Sequence, residues 1–295
     1  MTDLTISDDV LGRIKDQVIF ITGGASGIGK ATAELCFKYG AKVVIGDINS
    51  PHLEGLELES SDDFKFLKVD VCSWDSLRDA FKQVEEWFGR IDHVFANAGV
   101  GPTTDFVDDK LDESGQLAPP NMRTINVNLI GVIYTLRLAA YHIQKHSTGR
   151  AAGETGSLVV NASASSFQNF CAGDYTVTKH GVLGIVRGMG YQLDGKVRLN
   201  AVAPSWTATE LVPTGFIEAL GVPVQGPDVV ARSVALLFVD QRRHGEAIYS
   251  WDGKYREVNK GDDGFLAASF GILGNPDDED TVMRQLKDEK AVAGV

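Results

Sequence analysis

Short apolar runs alternate with longer amphipathic segments along almost the whole chain. The runs at 18–21, 43–45, 66–69, 93–96, 158–160, 199–202 and 247–249 are brief and uniformly apolar, which predicts seven strands buried on both faces. Between them, the segments 30–39, 74–88, 122–146, 175–193 and 227–239 carry apolar residues at helical spacing. Strand and helix in strict alternation predict an α/β fold, a doubly wound parallel sheet of about seven strands flanked by helices. No Pro- or Gly-rich linker divides the chain into comparable halves, and no internal repeat is visible. The pattern therefore predicts a single domain over 17–260, preceded by an extension at 1–16 and followed by an acidic tail at 261–295. Two stretches, 99–121 and 147–156, read as expanded surface loops, and 275–280 is a charge run.

Composition narrows the setting. The 295 residues are 43% hydrophobic, enough for a substantial core, and carry a net charge of -12. That charge argues against a nucleic-acid surface or an anionic membrane as partner. No apolar stretch approaches the length of a membrane span, and 1–16 carries acids rather than a basic leader. Cys36, Cys72 and Cys171 are odd in number and far apart, so they read as reduced and mostly buried. A cytoplasmic protein is expected. His93 and His244 have no companions at ligand spacing, and no metal is expected.

Chemistry enters at two places. Thr22-Gly23-Gly24-Ala25-Ser26-Gly27-Ile28-Gly29 follows an apolar strand and opens a helix. Gly23 permits the tight turn, Gly27 lets backbone approach a pyrophosphate, and Gly29 lets helix pack closely on strand. The turn therefore makes the fold Rossmann-type. Asp47 ends the second strand, where a carboxylate accepts from the hydroxyls of an adenosine ribose and repels a 2'-phosphate. NAD is favoured over NADP. Farther on, Tyr175 and Lys179 stand four residues apart and share a helix face. A cation beside a phenol favours the phenolate, so Tyr175 is expected to titrate below its ordinary value.

Together these motifs resemble the short-chain dehydrogenases/reductases, in order across 17–253, and in particular fungal members related to 15-hydroxyprostaglandin dehydrogenase. The resemblance implies a cofactor site built from Gly23, Ser26, Gly27, Ile28, Gly29, Asp47, Ile48, Asp70, Val71, Asn97, Ala98, Gly99, Pro204, Thr207 and Thr209, with Tyr175 and Lys179 also touching the cofactor. It makes Asn128, Ser163, Tyr175 and Lys179 catalytic, with Asn126 an alternative register for the asparagine. The family's serine spacing lands on Ala162; a loop one residue shorter puts Ser163 in the role, with Ser165 the other candidate. Pro204-Ser205 replaces the family's usual Pro-Gly, which strains the loop if that position needs positive φ.

With these features the resemblance implies a dehydrogenase that moves hydride between NAD and a secondary alcohol, with Tyr175 as base, Ser163 as hydrogen-bond donor and Asn128 supporting a proton relay from Lys179. Phe167, Trp206, Leu211, Val212, Phe216, Ile217 and Leu220 favour a bulky hydrophobic substrate, of secondary-metabolite, terpenoid, steroid or lipid-like character. An NADPH-dependent ketoreductase is the alternative, as is a scaffold turned to non-redox chemistry or cofactor sensing. The resemblance also implies a homodimer or homotetramer through the helices bearing Asn128 and Tyr175, with Leu136, Ala139, Ala140, Val182 and Ile185 read as outward-facing.

Overall fold

A computed structural model describes residues 2–51, 61–146, 154–272, 282 and 285. The strands are β1 (Thr2–Leu4), β2 (Val18–Thr22), β3 (Lys42–Asp47), β4 (Phe64–Lys68), β5 (His93–Ala96), β6 (Ser157–Asn161), β7 (Arg198–Pro204), β8 (Ala247–Trp251) and β9 (Lys254–Glu257). They form one sheet in the order β1-β9-β8-β7-β6-β5-β2-β3-β4. All seven expected strands are present as β2 to β8, paired in parallel. The sheet has nine strands rather than seven, because β9 folds back on β8 and β1 pairs antiparallel with β9. Asp252 and Gly253 make that hairpin, both at positive φ (47° and 74°), as a tight two-residue turn requires. Residues 2–14 are thus built into the sheet edge and core: Leu11 and Ile14 are fully buried.

Helices cover both faces: α1 (Asp8–Leu11), α2 (Gly27–Lys38), α3 (Trp74–Phe88), α4 (Arg123–Ile125), α5 (Gly131–Lys145), α6 (Gly173–Leu193), α7 (Thr214–Ala219), α8 (Pro227–Val239) and α9 (Phe265–Ile272). Successive residues of β2 divide between two apolar layers. Val18 and Phe20 join Phe81 of α3, Leu136 of α5 and Val182 of α6, while Ile19 and Ile21 join Cys36 of α2 and Leu237 of α8. Leu136, Ala139, Ala140 and Val182 therefore belong to the core and not to an outer face, and Ile185 is half-buried. The exposed apolar side chains of α5 and α6 are Ile133, Tyr141, Val177 and Tyr191. Of the cysteines only Cys36 is buried; Cys72 and Cys171 are exposed.

Two details position the site. The order places β2 between β3 and β5, so the chain reverses its winding beside β2, the crevice where such sheets bind ligands. The helix expected over 122–146 is interrupted by a π turn at Asn126–Ile130, a wide turn that commonly marks functional positions. The 99–121 segment is largely exposed, as expected, with one bridge between Leu111 and Leu117. Residues 147–153 of the other expected loop and the 275–280 charge run lie outside the described residues.

Candidate active site

The glycine turn joins β2 to α2 and leaves no room for side chains. Gly23 adopts φ +65° and its N–H donates to the Gly46 carbonyl at 2.8 Å. A Cβ on Gly23 would stand 2.6 Å from Ala98 Cα, and one on Gly29 would stand 2.6 Å from Asn97 Nδ2. Asn97 holds the turn from below, donating through Nδ2 to the carbonyls of Gly23 (2.8 Å) and Thr22 (3.2 Å). Gly27, at φ +52°, begins α2, and Ser26 precedes it in extended conformation without capping the helix through its side chain. The first helical N–H groups and the helix dipole face the crevice, which suits a phosphate.

Asp47 closes β3 beside this turn. Its Oδ2 accepts from Ala25 N–H at 3.1 Å and its Oδ1 from Asn49 N–H at 3.0 Å. Ile48 follows, more than half exposed. Asp70 accepts from Cys72 N–H at 2.9 Å, and Val71 sits where a Cβ on Gly131 would meet it at 2.9 Å. The residues present fit a dinucleotide: a bare backbone cradle, a helix N-terminus, and a carboxylate one strand away.

The catalytic candidates come from three elements. Tyr175 and Lys179 lie on α6, and Lys179 Nζ stands 5.4 Å from the Tyr175 ring centre. Ser163 precedes a 3-10 turn (Ala164–Ser166), and its side chain is hydrogen-bonded to Tyr175. Ser165 instead donates to Thr176 Oγ1 at 3.0 Å, and Ala162 is buried in the core, so the geometry selects Ser163. Asn128 lies in the π turn, fully buried, whereas Asn126 is exposed. Asn128 Oδ1 accepts from Val100 N–H at 2.8 Å and its Nδ2 donates to the Val100 carbonyl at 2.9 Å, pinning the loop that leaves Gly99.

Electrostatics here depart from the expectation. Burial pushes the Tyr175 phenol up, and the hydrogen bond from Ser163 opposes that rise without reversing it. Burial likewise pulls Lys179 down to about 8. The low-dielectric pocket favours both neutral forms, so burial sets the direction at both groups and the expected lowering of the phenol does not occur. Lys179 Nζ is held by the Asn161 carbonyl at 2.6 Å.

A family model described as short chain dehydrogenase matches residues 17–216, most of the chain. The chain belongs to the short-chain dehydrogenase/reductase family. Relatives include the short-chain dehydrogenase/reductase ascJ of Acremonium egyptiacum, 43% identical over 263 residues that cover 88% of this chain and 86% of that protein. The short-chain dehydrogenase/reductase prx4 of Penicillium roqueforti is 34% identical, with 79% and 68% covered. Among solved structures, levodione reductase superposes with a TM-score of 0.68 at 26% identity, covering 80% of this chain and 96% of that one. As a member of this family, the chain is an oxidoreductase that uses a nicotinamide cofactor.

In this dehydrogenase/reductase the remaining site residues sort by geometry. Thr209 stands against Gly27, where a Cβ would meet its methyl at 3.1 Å. A cleft of about 570 Å3 opens there, bounded by Gly27, Lys30, Thr209, Glu210 and Pro227. Thr207 is buried, its hydroxyl donating to the Ser205 carbonyl at 2.9 Å and accepting from Gln225 Nε2 at 3.1 Å. Ser205 is not at positive φ; among the described residues only Asp16 and Asp252 are non-glycines with that conformation. Serine in place of glycine after Pro204 therefore costs the backbone nothing.

Of the apolar substrate candidates, Leu211, Phe216 and Leu220 are exposed on the flap around α7, while Ile217 anchors it. Trp206 packs on Phe170 at 5.4 Å. Phe167 turns instead to Tyr249 and to Phe265 of α9. Sequence reasoning missed Asn161, whose side chain donates to Asn97 Oδ1 at 2.9 Å, linking the lysine's anchor to the glycine turn. It also missed Thr178, which donates to the Tyr175 carbonyl at 2.7 Å and accepts from Asn128 Nδ2 at 3.4 Å. Their only sequence signal is adjacency to motif residues.

Proposed function

We propose that this protein is an NAD(H)-dependent oxidoreductase that interconverts a bulky, hydrophobic secondary alcohol and its ketone, working in the oxidative direction. The observation that carries the reading is the convergence of Tyr175, Ser163 and Lys179 opposite a glycine cradle backed by Asp47. A carboxylate at the end of β3 accepts from ribose hydroxyls and repels a 2'-phosphate, which supports NAD over NADP. The exposed apolar side chains of the flap, Leu211, Phe216 and Leu220, support an apolar substrate.

In this reading the alcohol oxygen lies between Tyr175 Oη and Ser163 Oγ. Tyr175 takes the hydroxyl proton in oxidation and returns it in reduction, while Ser163 donates a hydrogen bond to the oxygen as it becomes a carbonyl. Lys179, carried in the turn after Tyr175, biases the phenol toward giving up its proton whenever the ammonium is charged. Asn128 supports the proton relay from Lys179 and fixes the wall at Val100. The bound nicotinamide supplies the hydride acceptor and donor, and the chain supplies orientation and the proton. A cytoplasmic homodimer or homotetramer belongs to the same reading.

Fluorescence titration with NADH and NADPH, followed by NAD with a panel of hydrophobic secondary alcohols, tests it in wild type and Tyr175→Phe. Tighter NADH binding and alcohol-dependent NADH formation that the variant loses are the expected results. Tighter NADPH binding overturns the cofactor assignment. Cofactor binding without turnover of any alcohol or ketone on the panel favours a non-redox or sensing role.

A further inference from the structure

The residue before the catalytic tyrosine is a buried carboxylate. Asp174 is 1% exposed, although it sits in the first turn of α6. Its two oxygens accept from Thr103 N–H at 3.3 and 3.2 Å, and Oδ2 also accepts from the Thr103 hydroxyl at 3.2 Å. Thr103 Oγ1 and Thr124 Oγ1 are 2.8 Å apart, and Thr124 donates to the Gly101 carbonyl at 3.0 Å. Thr124 and the backbone of Tyr175 also lie against the carboxylate. Burial by itself raises the pKa of Asp174, yet the polar groups of Thr124, Thr103 and Tyr175 around it outweigh burial and hold the group below its ordinary value. The carboxylate is therefore charged throughout the neutral range, and the helix N-terminus favours that charge.

These bonds meet where the long loop begins. Asn128 fixes Val100 on both its N–H and its carbonyl, Asp174 and Thr124 fix Thr103 and Gly101, and Thr104 Oγ1 donates to the Asn121 carbonyl at 2.6 Å. The Thr104–Asn121 bond closes the base of the loop formed by 105–120. Gly173, at φ +39°, lets this base approach α6: a Cβ there would meet the Thr104 carbonyl at 3.3 Å and the Phe106 ring at 3.7 Å. Phe106 is itself 63% exposed, so it stands at the mouth beside the helix end that carries Tyr175.

We propose that Asp174 is a positioning residue for substrate: by tying Thr103 and Thr124 to the first turn of the catalytic helix, it holds the wall at 100–106 in register with Tyr175. The proposal rests on the active-site reading above, since that reading places the substrate beside Tyr175. The carboxylate does not touch the glycine cradle, so its removal separates the substrate wall from the cofactor side.

The test compares wild type, Asp174→Ala, Asp174→Asn and Thr103→Ala, the last leaving the carboxylate in place should Asp174→Ala fold poorly. Amide hydrogen exchange is read over 100–107, NADH affinity by fluorescence, and KM and kcat on whichever alcohol wild type oxidises. Asp174→Ala is expected to speed exchange at 100–107 by about tenfold or more while changing NADH affinity by less than about threefold. KM is expected to rise about tenfold with kcat within about threefold, and Asp174→Asn, which keeps an acceptor oxygen, to recover part of both effects. Thr103→Ala should reproduce the exchange and KM changes in weaker form. Unchanged exchange at 100–107 overturns the proposal, as does a loss of NADH affinity in step with the loss of activity. Should wild type oxidise nothing, the functional reading fails by itself, while exchange and NADH binding still decide whether Asp174 holds the wall.

Discussion

The two sides of the active site are built by different means. On the cofactor side, the cradle is backbone: Gly23, Gly27 and Gly29 exclude side chains, and Asn97 closes two carbonyls from one amide. On the proposed substrate side, the walls are loops held by side chains that come from far away in sequence. Asp174 grips Thr103 across 71 positions and Asn128 grips Val100 across 28. A backbone cradle is fixed by the turn itself and tolerates no variation, whereas a wall hung on hydroxyl and carboxylate bonds can change shape by exchanging a few residues. The contrast separates a site fixed by backbone geometry from one set by a few side-chain bonds.

Substitutions on each side test this contrast, and the largest effect belongs to the residue shared by both. Tyr175→Phe is expected to lower kcat by about a thousandfold while NADH affinity stays within about threefold. A parallel loss of NADH binding in steady-state and fluorescence measurements would place the phenol in the cradle instead. Lys179→Met sharpens the electrostatic side. The folded lysine titrates at about 8, below its ordinary 10.5, so between those values the unfolded chain binds more protons than the folded one. Wild-type stability should therefore rise relative to the variant from pH 8 to pH 10.5, by at most about 3 kcal/mol, with the full cost of burying the charge present below pH 8. Denaturant melts of both proteins at pH 7 and pH 10 that differ by a constant amount would show that Lys179 is not desolvated.

Smaller effects follow in the cradle and on the flap. Gly29→Ala puts a Cβ against Asn97 and the Gly23 carbonyl, costing about 1–3 kcal/mol of stability and at least about tenfold in NADH affinity. Thermal unfolding and fluorescence titration check the two together, and an unchanged NADH affinity would show that the cradle yields. Phe216→Ser on the exposed flap should leave stability within about 0.5 kcal/mol and raise KM for an apolar alcohol a fewfold. A KM that does not move would remove Phe216 from the substrate wall.

The seven parallel strands were legible because a strand covered by helices on both faces carries a short apolar run, complete in β2 and forming the centre of β3 and β6, while β4, the edge strand with Lys65 and Lys68, was found only through Phe66 and Leu67. Two strands were not. β9 carries charge at three of its four positions, and its signal was the Asp252-Gly253 pair, which marks a hairpin rather than the end of the domain. β1 is three residues long and acquires meaning only through pairing with a strand some 250 positions away. The faces of α5 and α6 were misjudged for a related reason: helical spacing shows that Leu136 and Val182 share a stripe with other apolar residues, but not which way that stripe points.

By itself the sequence determined the alternation of strands and helices, the glycine turn, the carboxylate that ends β3 and the Tyr175–Lys179 pair. Each of these depends on neighbours within one turn or one strand. Tertiary structure decided which serine lies beside Tyr175 and which asparagine is buried against Val100, because a one-residue shift in a loop is invisible to spacing yet moves a hydroxyl by a full residue length. It also decided the protonation balance. The pairing of a cation with a phenol follows from sequence spacing, but the desolvation that raises Tyr175 and lowers Lys179 exists only once α6 is packed into the fold.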